Sequence, residues 1–334
     1  MDAPPPLPDD APDGRPAPRA IAGFLLKVGL FVAVQAATAA ALIEVSPRPD
    51  PYMRAYAAKQ ALSETAPSPR VLLVGGSNVA FGVDSRRLGE ALGRTPINLG
   101  LNAGLGHPFI LNQGAAAVKP GDLVILSLEY GPVGQAAMFN DLLLEQPAAA
   151  AHLPLAGWKT VGDTGMDYLI LKARSSARRI LWPAGSAIGP SLYLGSHFDE
   201  RGDFVGHRDL PRNPDRELVG ISSETPPAKL DRVAAFAEAV AAAGGTLVVV
   251  HPPVPRRRYE EHRENLDAWD AALRDRLSVP VLTTPREAAL PEEFFFDTPY
   301  HLAGDGVERR TDDLIARLTA AGFAAPVAAP TDTR

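Results

Sequence analysis

The run Val71-Leu72-Leu73-Val74, closed by Gly75-Gly76, constrains this chain more than any other stretch. Apolar residues in series, with no alternation, fit a strand covered on both faces, as in a parallel sheet between helices. Two glycines at the carboxyl end of such a strand let the backbone turn sharply or let another group come close. That end is where open α/β sheets bind ligands, and Ser77-Asn78 stand there. The pattern returns downstream: "PINLG" (96–100) predicts a short second strand, residues 122–128 a third, "TLVVVHPPV" a fourth and "VPVLTT" a short fifth. Helical patterns lie between them. Asp84 or Ser85 can cap a helix through Leu88 and Leu92. "GHPFILNQGAAAVK" reads as another. Leu230, Val233, Phe236, Ala237 and Val240 fall on one helical face that Gly244-Gly245 ends. "YEEHRENLDAWDAALRDRL" and residues 307–318 complete the set. Strands alternating with helices predict a three-layer α/β/α sandwich around a central parallel sheet of about five strands.

Ahead of this body, residues 20–43 are apolar enough and long enough to cross a bilayer as a helix. Lys27 is near enough to one end to snorkel. A single membrane anchor is the favoured reading. A cleaved signal peptide is the alternative, because Ala37-Thr38-Ala39 is an A-x-A site; a buried soluble helix would show a polar face, which this segment lacks. Arg15, Arg19 and Lys27 on one side balance Arg48, Arg54 and Lys59 on the other, so the positive-inside rule gives little direction. A short tail before a first span places the N-terminus in the cytoplasm and the body outside the inner membrane. The Pro- and Asp-rich residues 1–19 read as a disordered tail, 44–69 as a stalk, and 70–322 as the body. Within the body, 132–225 read as a long irregular insertion, and 323–334 follow as a second tail.

Composition removes several classes of function. A net charge of −6 gives no basic footprint for nucleic acid. With no cysteine, disulfides, thiolate metal sites and cysteine nucleophiles are excluded, and the histidines lack metal-ligand spacing. "GGSNVAFG" is neither a Walker loop, for want of a Lys, nor a dinucleotide fingerprint, and Val79 replaces the last Gly of a G-x-S-x-G elbow.

Ser77 by itself is explained by a helix cap. The far end of the chain changes that balance. "FFFDTPYHLAGDGVERRT" sets Asp297 and His301 four residues apart just before the last helix. A nucleophilic serine needs a base, and the base needs an orienting carboxylate. These segments together resemble the SGNH (GDSL-like) hydrolase superfamily, over about 71–318. The serine block matches Gly75-Gly76-Ser77-Asn78. The glycine block, whose amide enters the oxyanion hole, matches Gly100 or Gly104 in "NLGLNAGLG". The final block matches Asp297 and His301, spaced D-x-x-x-H where the family commonly has D-x-x-H. The block that usually supplies an oxyanion Asn reads Leu128-Glu129-Tyr130 here, and an ionised Glu129 cannot take that role.

The resemblance implies an SGNH/flavodoxin-like fold and a serine esterase or O-acetyltransferase of the membrane-tethered envelope branch. Ser77 would be the nucleophile, His301 the base and Asp297 its orienter. The amides of Ser77 and of Gly100 or Gly104 would meet the oxyanion, with Asn102 a further donor. Asn78, Tyr130, His107 and His251 are substrate-binding candidates. No metal or organic cofactor is implied. The implied partners are an acylated glycan or other ester and a membrane-bound acyl-donor protein. Two alternatives stand beside it: an inactive module that binds glycan or an envelope partner, and a phosphate- or nucleotide-binding α/β protein. Trp158, Tyr168, Trp182, Tyr193 and Phe198 in the insertion suit a carbohydrate cleft, but a small satellite core explains most of them. Arg256-Arg257-Arg258 read as a solvated loop.

Overall fold

The structure is a computed structural model that describes residues 18–45, 50–131, 136–181, 192–212 and 227–324. Most of the expected tails, Trp182 and parts of the insertion fall outside these residues. The chain divides into two units, Met1–Pro47 with Asp167–Ala187, and Arg48–Met166 with Ile188–Arg334. In the first, helix α1 (Pro18–Val45) is continuous, overruns the expected span at both ends, and is long and apolar enough to cross a membrane.

The second unit carries the sheet. A 3-10 turn (Tyr52–Arg54) leads into α2 (Ala55–Thr65), β1 (Arg70–Gly75), α3 (Ser77–Ala80), α4 (Ser85–Leu92), β2 (Thr95–Asn98), α5 (Gly106–Ala117) and β3 (Leu123–Ser127). Then come α6 (Ala136–Glu145), α7 (Leu155–Leu181, whose residues from Asp167 on belong to the first unit), α8 (Pro227–Ala242), β4 (Thr246–Val249), β5 (Val254–Pro255), α9 (Arg256–Arg276), α10 (Pro285–Ala288), β6 (Ala289–Leu290) and α11 (Gly304–Ala320). Four strands form one parallel sheet in the order β2-β1-β3-β4, with Leu72 paired to both Ile97 and Val124.

Alternate residues of the central strands serve two cores, as a period of two requires. Leu72, Val74, Val124 and Leu126 pack with Ile110 and Leu111 of α5, Val233 and Phe236 of α8, and Leu266 and Trp269 of α9. Val71, Leu73, Leu123 and Ile125 pack with Leu88 and Leu92 of α4 and Leu314 and Leu318 of α11. Each such side chain stabilises the fold by roughly 1.5–3 kcal/mol relative to exposure. Arg70 and Asp122, both fully buried, join the amino ends of β1 and β3 through an ion pair, with Arg70 also donating to the Ala117 carbonyl at 2.8 Å.

Several expectations needed revision. The fifth strand is reduced to a single bridge, Val249 to Val281, flanked by hydrogen bonds to the Pro280 carbonyl and from Leu282 N–H. Pro280 brings no N–H, so a ladder cannot continue there. Pro252-Pro253 cut the fourth strand short for the same reason, and Val254–Pro255 pair instead with Ala289–Leu290. Arg256-Arg257-Arg258 open α9 rather than a loop. Phe323 and Ala324, expected in the tail, pack on the α4 and α11 core.

The α2 part of the expected stalk is docked onto the body: Lys59 is buried and donates to the carbonyls of Asn98 (2.8 Å) and Gly202 (2.5 Å). Burial pulls its pKa down to about 7. The insertion contains α6 and α7 where irregular structure was expected. Its residues 192–212 are fixed by Asp203, which accepts from Ser85 N–H, Ser85 Oγ and Asn98 Nδ2.

Candidate active site

β1 runs out at Gly75, where a Cβ would lie 2.2 Å from the Ser127 carbonyl oxygen on β3. Only glycine permits that approach, and the chain turns at once into α3. Ser77 opens α3 and is partly exposed between buried neighbours. No described residue partners its hydroxyl. Its carbonyl accepts from Phe81 N–H at 2.8 Å, so Ser77 and Phe81 are one turn apart on the same helical side.

The other half of the site is a hairpin. Phe295 bridges Leu302 in antiparallel fashion, Phe296 N–H donates to the His301 carbonyl at 2.8 Å, and Thr298 Oγ1 accepts from Tyr300 and His301 N–H. The hairpin turn absorbs the longer D-x-x-x-H spacing and returns His301 to Asp297. His301 Nδ1 lies 2.8 Å from Asp297 Oδ1, and both residues are buried. A carboxylate only accepts, so the proton sits on Nδ1 and Nε2 is left as an acceptor. No described residue takes Nε2. The imidazole lies flat on Phe81, ring centroids 3.9 Å apart and planes 8° from parallel. Phe81 therefore joins the two segments: it is one turn from Ser77 and in face contact with His301.

On the oxyanion side the glycines are already committed. Gly100 N–H donates to Asn98 Oδ1 at 2.9 Å, and Gly104 N–H to Asn102 Oδ1 at 2.7 Å. Gly100 still lies close to the serine turn, since a Cβ there would meet Ala80 N at 2.7 Å and Gly76 O at 2.8 Å. Asn102 is half-buried and keeps its Nδ2 without a partner among the described residues. Glu129 sits behind the serine turn: Oε1 accepts from Asn78 N–H at 2.9 Å, Oε2 is buried with no partner among the described residues, and a Cβ on Gly76 would meet Oε1 at 2.5 Å. The carboxylate thus touches the residues on both sides of Ser77.

The four substrate-binding candidates are all buried and hydrogen-bonded inside the protein. Asn78 donates to Ser127 O at 3.0 Å, and its Oδ1 accepts from Ser127 Oγ and Arg310. Tyr130 Oη meets His251 Nδ1 at 2.6 Å, and His251 Nε2 meets Asp270 at 2.9 Å. His107 Nε2 lies 3.1 Å from the Glu129 carbonyl, and burial pushes its pKa down to about 3. Three contributors escaped the sequence reading. Arg310 reaches back from α11 to the Asn78 carbonyl at 2.6 Å. Tyr193 donates its hydroxyl to Asp297 Oδ2. Phe81 is the third. Arg310 carried a signal, an arginine on the inward stripe of Val307, Thr311 and Leu314; the other two carried none.

No family model and no curated protein matches this chain.

Proposed function

We propose that this chain is a serine-dependent esterase or O-acyltransferase built on an SGNH-like α/β/α sandwich, acting through an acyl-enzyme on Ser77. The observation that carries the reading is the Asp297–His301 pair, its imidazole stacked on Phe81, one turn from a partly exposed serine whose hydroxyl has no partner among the described residues. Ser77 Oγ attacks an ester carbonyl while His301 Nε2 takes its proton. Collapse expels the alcohol, which receives that proton from His301. Water or a sugar hydroxyl then releases the acyl group by the same steps in reverse. Asp297 fixes the imidazole and stabilises its charged form. The developing oxyanion would meet Ser77 N–H, with Asn102, whose Nδ2 has no partner among the described residues, as the further donor. An acetylated envelope glycan is the substrate class that the family resemblance supplies, with a membrane-bound acyl donor in the transferase case.

The test is p-nitrophenyl acetate turnover and fluorophosphonate labelling of the full chain beside Ser77→Ala and His301→Ala. Both signals vanish in both variants if the reading holds; a wild type that behaves like the variants refutes it. The second reading, an inactive glycan- or partner-binding module, is favoured by Glu129 and by the committed Gly100 and Gly104 amides. We place α1 in the inner membrane as a single span, with the body on the periplasmic or outer side. The natural chain has no cysteine, so one introduced at exposed Arg276 reports the side directly; its labelling by an impermeant maleimide in intact cells is the expected result, and labelling only after lysis refutes it.

A further inference from the structure

We infer that Tyr193, presented by a loop fastened to the chain just after the membrane helix, is a positioning residue for the Asp297–His301 pair; the inference rests on the serine-hydrolase reading for its catalytic consequence. Asp297 has two carboxylate oxygens, and the structure commits both: Oδ1 to His301 Nδ1 at 2.8 Å, Oδ2 to the Tyr193 hydroxyl. A carboxylate held at one oxygen rotates about its Cβ–Cγ bond; one held at both does not. Its plane then sets the plane of the imidazole.

The ring of Tyr193 is fixed in turn, with centroids 5.8 Å from Phe81, 6.1 Å from Phe204 and 6.0 Å from Tyr52. Its backbone is fastened from the other side. Leu194 bridges Pro51, Gly195 N–H donates to the Asp50 carbonyl at 3.4 Å, and Ser196 N–H donates to Asp50 Oδ2 at 2.5 Å. Residues 50–52 therefore hold the loop whose tyrosine holds the aspartate. The stretch read as a passive stalk becomes part of the alignment of the base.

The experiment uses the full chain in detergent. A hydrogen bond to a charged group is worth about tenfold or more in an equilibrium or rate it controls. Tyr193→Phe keeps the ring and is expected to lower kcat about tenfold with KM within about twofold. Asp50→Ala is expected to act in the same direction and less. In an Asp297→Ala background Tyr193→Phe should add less than about twofold, because the residue acts through Asp297. The low-field proton resonance of His301 Nδ1–H, identified by its loss in His301→Ala, should move or broaden in Tyr193→Phe.

Unchanged kcat with an unchanged resonance overturns the inference, as does a tenfold loss that repeats in full without Asp297. No effect of Asp50→Ala overturns the part given to residues 50–52. A wild type without Ser77-dependent turnover, whose resonance still responds to Tyr193→Phe, refutes the esterase reading and supports the orienting role of Tyr193.

Discussion

Arg310 is the residue whose removal has the most calculable effect on this fold. It is buried on α11 and donates to the Asn78 carbonyl at 2.6 Å, to Asn78 Oδ1 at 3.1 Å and to Ser127 Oγ at 3.0 Å. Burial pulls its pKa down to about 10, with Glu129 and Asp313 opposing that fall. In Arg310→Leu, Ser127 Oγ and Asn78 Oδ1 keep each other at 2.9 Å. The Asn78 carbonyl loses its donor, and one orphaned buried acceptor costs about 1–3 kcal/mol. Glu129, which makes no ion pair with Arg310 but whose charge opposes the fall of the Arg310 pKa, loses part of its buried positive surroundings, which adds to that cost. Set against a typical domain stability of about 5–15 kcal/mol, that loss is large. Urea unfolding of the full chain, followed by the midpoint at constant slope, measures it. Arg310→Lys keeps the charge with fewer aimed donors, so about half the loss is expected. A leucine variant within about 1 kcal/mol of wild type would show that the guanidinium does not hold the serine turn.

The same geometry yields two shorter expectations. Gly100→Ala forces a Cβ to within 2.7–2.8 Å of backbone atoms of α3 and Gly76; these cannot swing away, so stability falls by about 1–3 kcal/mol or more and fluorophosphonate labelling slows, both absent if the contact is loose. Lys59 has a pKa near 7 in the fold against 10.5 when free, because burial disfavours its charge. Below pH 7 it is charged in both states and the fold carries the full burial cost. Between about pH 7 and 10.5 the native state has released a proton that the unfolded chain retains, so stability rises with pH. Urea midpoints should therefore shift toward wild type over Lys59→Met across that window, by up to about 1.4 kcal/mol per pH unit; a gap that is flat with pH would place Lys59 near solvent.

What the sequence conveyed and what it hid follow from the range of each interaction. Val71–Val74 and the 122–128 run announce buried strands, because a sheet covered on both faces requires apolar side chains in every register position. The α4 cap was equally legible: Asp84 accepts from Arg87 N–H at 3.0 Å, and Gly93 ends the helix at φ 64°. The Asp297–His301 contact could be anticipated because an imidazole four residues from a carboxylate is a recognisable local pattern, and the structure brings those two together. Tyr193 could not, since nothing local distinguishes a tyrosine that meets a carboxylate across 104 positions from one filling a satellite core. Its ring in fact does both. The docking of α2 was hidden for a related reason: a lysine reads as solvated, and only the carbonyls of Asn98 and Gly202, brought together by the fold, explain Lys59 inside. His251 and Tyr130 read as substrate-binding candidates, yet they satisfy one another and Asp270.

Glu129 offers the sharpest separation between an enzyme and a binding module. As a carboxylate it bears on the residues flanking Ser77, where attack on an ester would gather negative charge. Its charge also supports the fold, raising the pKa of buried Arg310 and of Lys229, which burial has pulled down to about 8. Glu129→Gln separates these effects. The amide oxygen can still accept from Asn78 N–H, while its NH2 brings donors to the place where Oε2 has no partner among the described residues. Since one well-placed oxyanion donor is worth on the order of a hundredfold, removing an opposing charge should raise the Ser77 acylation rate by about tenfold or more. The same change leaves Lys229 and Arg310 less compensated, so urea stability at neutral pH should fall. Rate up with stability down is the pattern of a serine enzyme restrained by its own buried acid. Rate and stability falling together would make Glu129 purely a structural anion, and a carboxylate at that position would then be no restraint on the chemistry around Ser77.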